Sequence, residues 1–373
     1  MSGLRIAIAG AGVLGRLLAW RLARDGHTVQ VVDPAHGPEA PPLGNTLAHP
    51  VAAGYTAAGL LSPLAELDHA EPELAALGWR SILRWRDVVA ALAPQAPQTL
   101  LRVQGSLLVA HSADLGSALR VMVKLRSAAQ SDPGAWPAPE IVPASELRVM
   151  EPELLPGLSA WWLPGEGQLE PRLLLDALAA QAPGVHWHWG QRVTQVHPGC
   201  LQIDARQRIT CDLAIDVRGL GARGDKTGPG THDEGSGLRG VRGELVWLHA
   251  PGVNLRHPVR LLHPRHRVYI VPRAHGHIVV GASEIESEDR SPVSLRSAVE
   301  LMAAAHSVLP GLAEARIVHL DTNLRPAWPD HRPRIESSPG LLRITGLYRH
   351  GWLLAPALVD DALAQAFKEP QHA

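Results

Sequence analysis

The sequence reads Arg5-Ile6-Ala7-Ile8-Ala9-Gly10-Ala11-Gly12-Val13-Leu14-Gly15 near its start, and this segment determines the class of fold. Its first five residues predict a buried strand, and the next six form a G-x-G-x-x-G turn. Apolar residues then recur at helical spacing as far as Asp25-Gly26, and residues 28–32 predict a second strand that ends in Asp33. The segment therefore predicts an α/β fold that opens with a Rossmann-like, dinucleotide-binding βαβ unit.

Each glycine of this motif has a physical task. Gly10 permits the tight turn, Gly12 lets the backbone approach a pyrophosphate, and Gly15 lets the helix pack on the strand. The helix N-terminus attracts the phosphate charge, and Asp33 stands at the distance of a ribose-binding acid. The alternative interpretation is a tight strand–helix turn without a ligand, but strand, spacing and acidic residue together favour a bound dinucleotide.

Composition restricts the class of protein. The chain has 373 residues, 46% of them hydrophobic, and a formal net charge of −1. This length accommodates two domains, and a near-neutral chain offers no field that attracts nucleic acid or an anionic membrane. The expected partner is a small molecule, while an assembly of identical chains is compatible with the sequence.

The apolar run at the N-terminus does not predict a membrane segment. It is interrupted by three glycines and followed by Arg16, Arg21 and Arg24, so it resembles neither a signal peptide nor a spanning helix. We therefore expect a cytoplasmic protein without an integral membrane segment, in which Cys200 and Cys211 are reduced. No metal is expected.

A second glycine cluster repeats the first motif only formally. Gly219, Gly221 and Gly224 have G-x-G-x-x-G spacing, but the polar, glycine-rich residues 225–237 follow in place of a helix. This argues against a second nucleotide domain, and residues 225–237 are expected to form an exposed loop of low order.

The region from 239 to 281 is rich in predicted strands, at residues 243–248, 259–262, 268–273 and 277–281. Close spacing and short loops favour a mainly antiparallel sheet in a substrate domain. Helices are expected at 71–93 and 295–308, and a last helix over 357–367, with Pro356 at its start.

Several motifs, in order, resemble the D-amino-acid oxidase family of flavoproteins. They are the N-terminal nucleotide motif, Gly167-Gln168-Leu169-Glu170-Pro171, Tyr269-Ile270-Val271-Pro272-Arg273 with Val279-Val280-Gly281-Ala282, Leu324-Arg325-Pro326, and the pattern Gly-x-Tyr-Arg-x-Gly-x-Leu-Leu-Ala-Pro over 346–356. The sequence is most similar to the bacterial glycine oxidases of thiamine biosynthesis, and the cysteine that binds flavin covalently in sarcosine oxidases has no counterpart. The resemblance implies noncovalent FAD.

The resemblance also implies the domain organisation. Residues 1–85, 145–225 and 315–373 would form a discontinuous FAD-binding domain of the glutathione-reductase type. Residues 86–144 and 226–314 would form the substrate domain, whose sheet lies over the flavin.

Site residues follow from the matching motifs. Arg325 matches the arginine that binds the substrate carboxylate, and a guanidinium suits that task because it donates two parallel hydrogen bonds. Tyr269 matches a tyrosine whose hydroxyl faces the substrate, and Arg349 matches an arginine near flavin and substrate. The alternatives are a core role for Tyr269 and a structural ion pair for Arg349. The cofactor-binding residues implied are Gly10, Gly12, Gly15, Asp33, Gly59, Leu60, Val193, Gly219, Arg349, Gly351 and Leu353.

The implied reaction is oxidation of an amine next to a carboxylate, in glycine or a small D- or N-substituted amino acid, with oxygen as the electron acceptor. Leu347, His350 and Trp352 depart from the family pattern. Two alternatives remain open: a D-amino-acid dehydrogenase that passes electrons to a quinone, and an oxidase of a carrier-bound secondary amine.

Overall fold

The computed structural model describes residues 3–40, 42, 51–68, 71–131, 136–223, 237–264 and 267–367. Its α-helices are α1 (Val13–Arg24), α2 (Pro63–Glu66), α3 (Pro72–Leu92), α4 (Leu115–Ser131), α5 (Ala144–Met150), α6 (Pro171–Ala180), α7 (Leu295–Val308) and α8 (Gly351–Ala366). Its strands are β1 (Arg5–Ala9), β2 (Thr28–Asp33), β3 (Leu60–Leu61), β4 (Leu101–Arg102), β5 (Ser106–Ala110), β6 (Glu140–Val142), β7 (Ser159–Leu163), β8 (Gly167–Leu169), β9 (His186–Trp189), β10 (Gln195–His197), β11 (Cys200–Gln202), β12 (Arg208–Thr210), β13 (Leu213–Asp216), β14 (Arg239–His249), β15 (Val259–Leu262), β16 (Arg267–Pro272), β17 (His277–Gly281), β18 (Arg316–Ala327), β19 (Arg334–Ser338) and β20 (Leu341–Thr345). The predicted loop at 225–237 lies outside the described residues except for Gly237.

A six-stranded sheet contains the N-terminal motif. Its order is β19-β20-β13-β1-β2-β9, and all neighbours are parallel except the pair β19–β20. Strand β1 is buried over residues 6–9, and Val29, Val31 and Val32 are buried in β2, as expected for strands inside a parallel sheet that is covered on both faces. Helices α1 and α8 pack on each other within the core on one face. The predicted Rossmann-like βαβ unit is confirmed.

An eight-stranded sheet, in the order β18-β14-β17-β16-β15-β5-β7-β6, forms the second layer. Its described neighbours pair antiparallel except β15 and β5, which confirms the mainly antiparallel sheet. Because side chains alternate along a strand, the sheet has two different faces. The outer face, which includes Val246, Ile270 and Val280, packs in one core with α7. The inner face, with Leu245, Val271 and Val279, packs against Ala58.

The sheets differ from the predicted domain boundaries at two strands. Strands β7 and β18 belong to the eight-stranded sheet, whereas the predicted boundaries place residues 145–225 and 315–373 in the FAD-binding domain. The reason is long-range pairing: β18 pairs with β14 along almost its whole length, and local sequence periodicity does not reveal such a partner. Within the described residues, no helix is long and apolar enough to cross a membrane.

The last helix begins earlier than predicted. It runs from Gly351 and contains Pro356 in its interior, so the placement of Pro356 at the helix start is wrong. A proline there leaves the carbonyl four residues earlier without its helical donor. That carbonyl belongs to Trp352, and the buried indole Nε1 of Trp85 donates to it at 2.8 Å. A partner on α3 thus satisfies the group that Pro356 leaves free.

Candidate functional site

A cavity of about 1190 Å³ lies between the C-terminal ends of the parallel strands and the inner face of the eight-stranded sheet. This is the position at which open α/β sheets bind ligands. Of the predicted site residues, all except Gly15 line it. The structure therefore brings together residues from the start, middle and end of the chain, in a volume above the range typical of sites for one drug-sized ligand.

The glycines of the N-terminal motif differ in what surrounds them. A Cβ on Gly15 would lie 2.8 Å from the carbonyl carbon of Gly10 and still closer to its oxygen, so the protein itself requires glycine there. Gly10 has a backbone φ of +103°, and its N–H donates to the carbonyl of Val32 at 2.9 Å. A Cβ on Gly12, in contrast, would meet only Ala52 at 3.5 Å among the described atoms, and Gly12 borders the cavity.

Among the described residues, Gly12 therefore leaves space at the cavity wall that a ligand can occupy. Beside it, Asp33 accepts hydrogen bonds from the backbone N–H groups of Ala11 at 2.6 Å and Ala35 at 2.8 Å. Each carboxylate oxygen retains acceptor capacity for a ribose hydroxyl, since it has more than one lone pair. The loop and the acid fit the nucleotide part of FAD.

A row of cross-strand neighbours on the inner face forms the opposite wall of the cavity. Tyr269 on β16 is paired with Gly281 on β17 and with Arg260 on β15. Arg260 is in turn paired with Leu108 on β5. Cross-strand partners point to the same face of a sheet, so these side chains share the cavity side.

Two glycines in this face make room for large side chains. A Cβ on Gly243 would lie 2.8 Å from Nη1 of Arg325 and closer to its Cζ, so the guanidinium rests directly on the backbone of β14. A Cβ on Gly281 would lie 2.6 Å from the hydroxyl oxygen of Tyr269. Strands β14 and β17 are neighbours, about 4.8 Å apart. The head groups of Arg325 and Tyr269 therefore lie over adjacent strands, at positions two residues apart in the β14–β17 register.

The guanidinium of Arg325 borders the cavity. Its Nη1 donates to the carbonyl of Ser283 at 3.0 Å. Among the described residues it forms no ion pair with a carboxylate, although it lines the cavity. Burial raises the pKa of Tyr269, while Arg325 acts in the opposite direction, so the phenol is protonated at neutral pH.

Arg349 forms ion pairs, which was the alternative considered for it, and the sequence did not predict its partners Glu66 and Glu284. Its Nη2 lies 2.9 Å from Oε2 of Glu66, and the other oxygen of that carboxylate lies 3.0 Å from Nη2 of Arg260. Burial alone would raise the pKa of Glu66, but the guanidinium groups of Arg349 and Arg260 outweigh it and hold the pKa at about 2. Glu66 is therefore ionised at physiological pH.

Two neighbours complete this region. Burial lowers the pKa of His350 to about 4, so its imidazole is neutral at pH 7. Glu284 lies 3.4 Å from Nη1 of Arg349. Burial opposes ionisation of Glu284, but the positive charges of Arg349 and Arg325 contribute to lowering its pKa. Tyr348, which directly precedes Arg349, has a backbone φ of +51°. This conformation is uncommon for a residue other than glycine and is found more often at functional sites.

Sequence reasoning missed Glu66, Arg260 and Glu284. A signal existed for Arg260, because a charged residue within the apolar run Val259–Leu262 predicts a side chain that faces a polar cavity. Glu66 follows the small-residue segment on the four-residue helix α2, and nothing local marks it as buried.

Trp352, which departs from the family pattern, has a structural role at the cavity wall: its Nε1 donates to the carbonyl of Gly54 at 3.0 Å. No group of three His, Cys, Asp or Glu residues that could hold a metal ion occurs in the described part of the chain.

Known proteins resemble the chain over its whole length. The profile of the family described as "DAO: FAD dependent oxidoreductase" matches residues 5–364. A putative thiamine biosynthesis oxidoreductase, ThiO, of Rhizobium etli is 34% identical over 367 residues, which cover 98% of this chain and 97% of the relative.

Solved structures share the fold. Glycine oxidase from Geobacillus kaustophilus has a TM-score of 0.77 at 22% identity, covering 100% of this chain and 96% of that protein. Iminodiacetate oxidase from Chelativorans sp. BNC1 has a TM-score of 0.77 at 24% identity, covering 99% and 97%. At these identities the likeness concerns the fold, an α/β nucleotide-binding layer joined to a second sheet.

Proposed function

The chain belongs to the DAO family of FAD-dependent oxidoreductases, which act on C–N bonds as in glycine oxidase, and from this premise we propose its substrate and its electron acceptor. The substrate is glycine or a small D- or N-substituted amino acid. It is oxidised to the imino acid, and two electrons and two protons pass to oxygen to give hydrogen peroxide. Hydrolysis of the imino acid then releases the amine nitrogen.

The arrangement of Arg325 over Gly243 carries this proposal. The guanidinium lies on bare backbone and is open to the cavity, and Tyr269 lies over the neighbouring strand in the same way. A planar carboxylate can accept two parallel hydrogen bonds from one guanidinium, and a protonated phenol can donate a further one. The pair thus provides a binding site for the carboxylate of a small amino acid.

The residues that would hold FAD line the other side of the cavity. Gly10, Gly12 and Asp33 suit the nucleotide, while Gly59, Leu60, Gly351 and Leu353 border the space at the sheet interface. When bound, FAD supplies the two-electron acceptor for oxidation of the C–N bond. The first turn of the 16-residue helix α8 reaches the cavity wall at Gly351, where its partial positive charge stabilises negative charge.

The protein residues contribute position and electrostatics. Arg325 fixes the carboxylate and thereby limits the rotation of the substrate, which places the Cα–H and the amine in one orientation. Tyr269 keeps its proton and acts as a hydrogen-bond donor. His350 is buried and neutral, so it adds no charge that competes for the carboxylate.

The likeness to the Rhizobium etli protein supports a role in thiamine biosynthesis. In such a role the imino acid is the useful product, and oxygen serves to remove the electrons. The reaction would take place in the cytoplasm. The dehydrogenase alternative differs only in the acceptor, so an assay in air with peroxide detection, compared with one containing a quinone, separates the two.

The experiment that tests the proposal is Arg325→Lys with a panel of amino acids and their decarboxylated amines. Lysine retains the charge but loses one arm of the bidentate contact, a loss of about 1.5–3 kcal/mol. That corresponds to roughly tenfold to a hundredfold weaker substrate saturation with retained FAD. Arg84→Lys, at an exposed ion pair with Asp360, is the matched control.

A wild-type saturation curve for Arg325→Lys would contradict the proposal. Equal oxidation of decarboxylated amines and amino acids by the wild type would do the same. In either case Arg349 is the next residue to test.

A further inference from the structure

One part of the cavity wall contains a group of arginine and glutamate side chains. Three guanidinium groups, those of Arg260, Arg325 and Arg349, line the cavity together with the carboxylates of Glu66 and Glu284. We call these five residues the charge cluster. With His350 neutral, the cluster has one uncompensated positive charge, and this charge belongs to Arg325, the member without an ion pair among the described residues.

Glu66 pairs with the other two arginines of the cluster, Arg260 and Arg349. Its Oε1 accepts from Nη1 and Nη2 of Arg260 at 3.1 and 3.0 Å, and its Oε2 lies 2.9 Å from Nη2 of Arg349. The side chain is only 11% exposed. One carboxylate thus bridges two guanidinium groups, which is the arrangement that a carboxylate of a ligand would otherwise adopt.

The backbone holds Glu66 in this place. Helix α2 is short, and the buried carboxylate of Glu166 accepts hydrogen bonds from the backbone N–H groups of Leu64 at 2.9 Å and Ala65 at 3.0 Å. The oxygen Oε2 of Glu166 accepts from the hydroxyl of Ser106 at 2.6 Å. Glu66 is therefore presented by a fixed turn of chain, and the cavity has free space beside it that continues to Leu108 and Leu262.

We propose that Glu66 determines substrate specificity: it occupies the Arg260–Arg349 position as an internal carboxylate and restricts the enzyme to amino acids with a single carboxylate. A monocarboxylate neutralises the free charge of Arg325. A second carboxylate would meet Glu66, whose side chain has little contact with solvent, and like charges repel strongly where solvent does not screen them. This inference rests on the proposed function in one respect, that Arg325 binds the first carboxylate.

The experiment measures binding of unreactive acids to the FAD-loaded enzyme by perturbation of the flavin absorbance, so it needs no turnover. Acids of equal chain length are compared in pairs: acetate with malonate, propionate with succinate, and butyrate with glutarate. In the wild type each dicarboxylate should bind at least about tenfold more weakly than its partner. Equal or tighter binding of a dicarboxylate by the wild type overturns the proposal without any variant.

The variant Glu66→Gln should shift the ratio of dicarboxylate to monocarboxylate affinity by at least about tenfold in favour of the dicarboxylate of suitable length. Glu66→Asp, which restores the charge, should leave the preference for monocarboxylates. Glu284→Gln is the matched control, because it removes the same charge from the cluster but leaves Glu66 on both guanidinium groups.

An unchanged ratio in a flavin-loaded Glu66→Gln protein overturns the proposal. An equal shift in Glu284→Gln overturns it as well, since the effect would then follow net charge and not the occupied position. If the ratios behave as expected while no amino acid is oxidised, the proposed reaction fails and the inference about Glu66 stands.

Discussion

Gly243 lies directly beneath the guanidinium of Arg325, and a methyl group at residue 243 would fall 2.8 Å from Nη1 of that arginine. The two residues are on neighbouring strands, where Arg325 is paired with Val241. A glycine with negative φ on a central strand has no conformational reason to be there, and glycine weakens strands. The close approach of Arg325 is the physical reason for its presence.

Gly243→Ala should therefore displace Arg325 and weaken carboxylate binding. We expect FAD content to stay at the wild-type level and the affinity for a carboxylate inhibitor to fall by about tenfold or more, equivalent to at least 1.4 kcal/mol. Titration of the flavin spectrum with the inhibitor measures both. Gly116→Ala is the control, since a Cβ at that position on α4 meets nothing within 4 Å. Unchanged inhibitor affinity in Gly243→Ala would contradict the assignment of Arg325.

Substitutions of the two motif glycines should have different effects, on FAD binding at Gly12 and on stability at Gly15. Gly12→Val places its side chain where the described atoms leave space, so we expect a folded protein without FAD, with the melting temperature of the flavin-free wild type. Gly15→Ala forces α1 away from Gly10 and should lower the free energy of unfolding by about 1–3 kcal/mol even with excess FAD. Flavin content and circular dichroism melting distinguish them. Full FAD occupancy in Gly12→Val would remove the basis of the nucleotide-site assignment.

The sequence predicts the nucleotide unit well because its signals are local. The strand, the glycine turn and the helix of residues 5–24 lie within a few residues of one another, and the structure has them at Arg5–Ala9 and Val13–Arg24. The antiparallel strands β15 and β17 also match, since short apolar segments between turn residues mark them. These elements needed no knowledge of the rest of the chain.

The features that the sequence could not provide depend on distant partners. The start of α8 at Gly351 requires a donor from Trp85, 267 residues before the carbonyl of Trp352. The buried carboxylate of Glu66 is paired with Arg260 and Arg349, which are distant from it in the sequence. Neither relationship leaves a periodic pattern, so sequence analysis had no means of finding them.

Glu166 should make the stability of the protein depend on pH. Burial raises the pKa of this carboxyl to about 7, although Arg260 and the hydrogen bond from Ser106 act in the opposite direction. Because the folded pKa exceeds that of the unfolded chain, the folded state binds the proton more tightly. The stabilisation is complete below pH 4.5 and is lost as the pH rises to about 7. The total change is on the order of 3 kcal/mol.

Glu166→Gln tests this dependence with a neutral side chain of the same shape. Its carbonyl can accept from Leu64 and Ala65, and its amide can donate to Ser106. We expect the variant to lose the Glu166 contribution to the decline in unfolding free energy between pH 5 and 8, measured by urea denaturation at saturating FAD. If the unfolding free energies of Glu166→Gln and the wild type change in parallel with pH over this range, Glu166 does not change its protonation there.

The effects of substituting Trp85 and Pro356 on stability should be coupled, because both residues determine which donor reaches the carbonyl of Trp352. Trp85→Phe removes the indole donor and leaves a buried carbonyl unpaired, which should cost about 1–3 kcal/mol in addition to the lost ring volume. In a Pro356→Ala background the new backbone N–H of residue 356 can donate to the same carbonyl, so Trp85→Phe should be less destabilising there, by about 1 kcal/mol. The loss of ring volume is common to both backgrounds and cancels in the double-mutant cycle. Urea unfolding of the four proteins at saturating FAD gives the coupling energy. A coupling near zero would mean that Trp85 stabilises α8 by packing alone, and that the interior position of Pro356 needs another explanation.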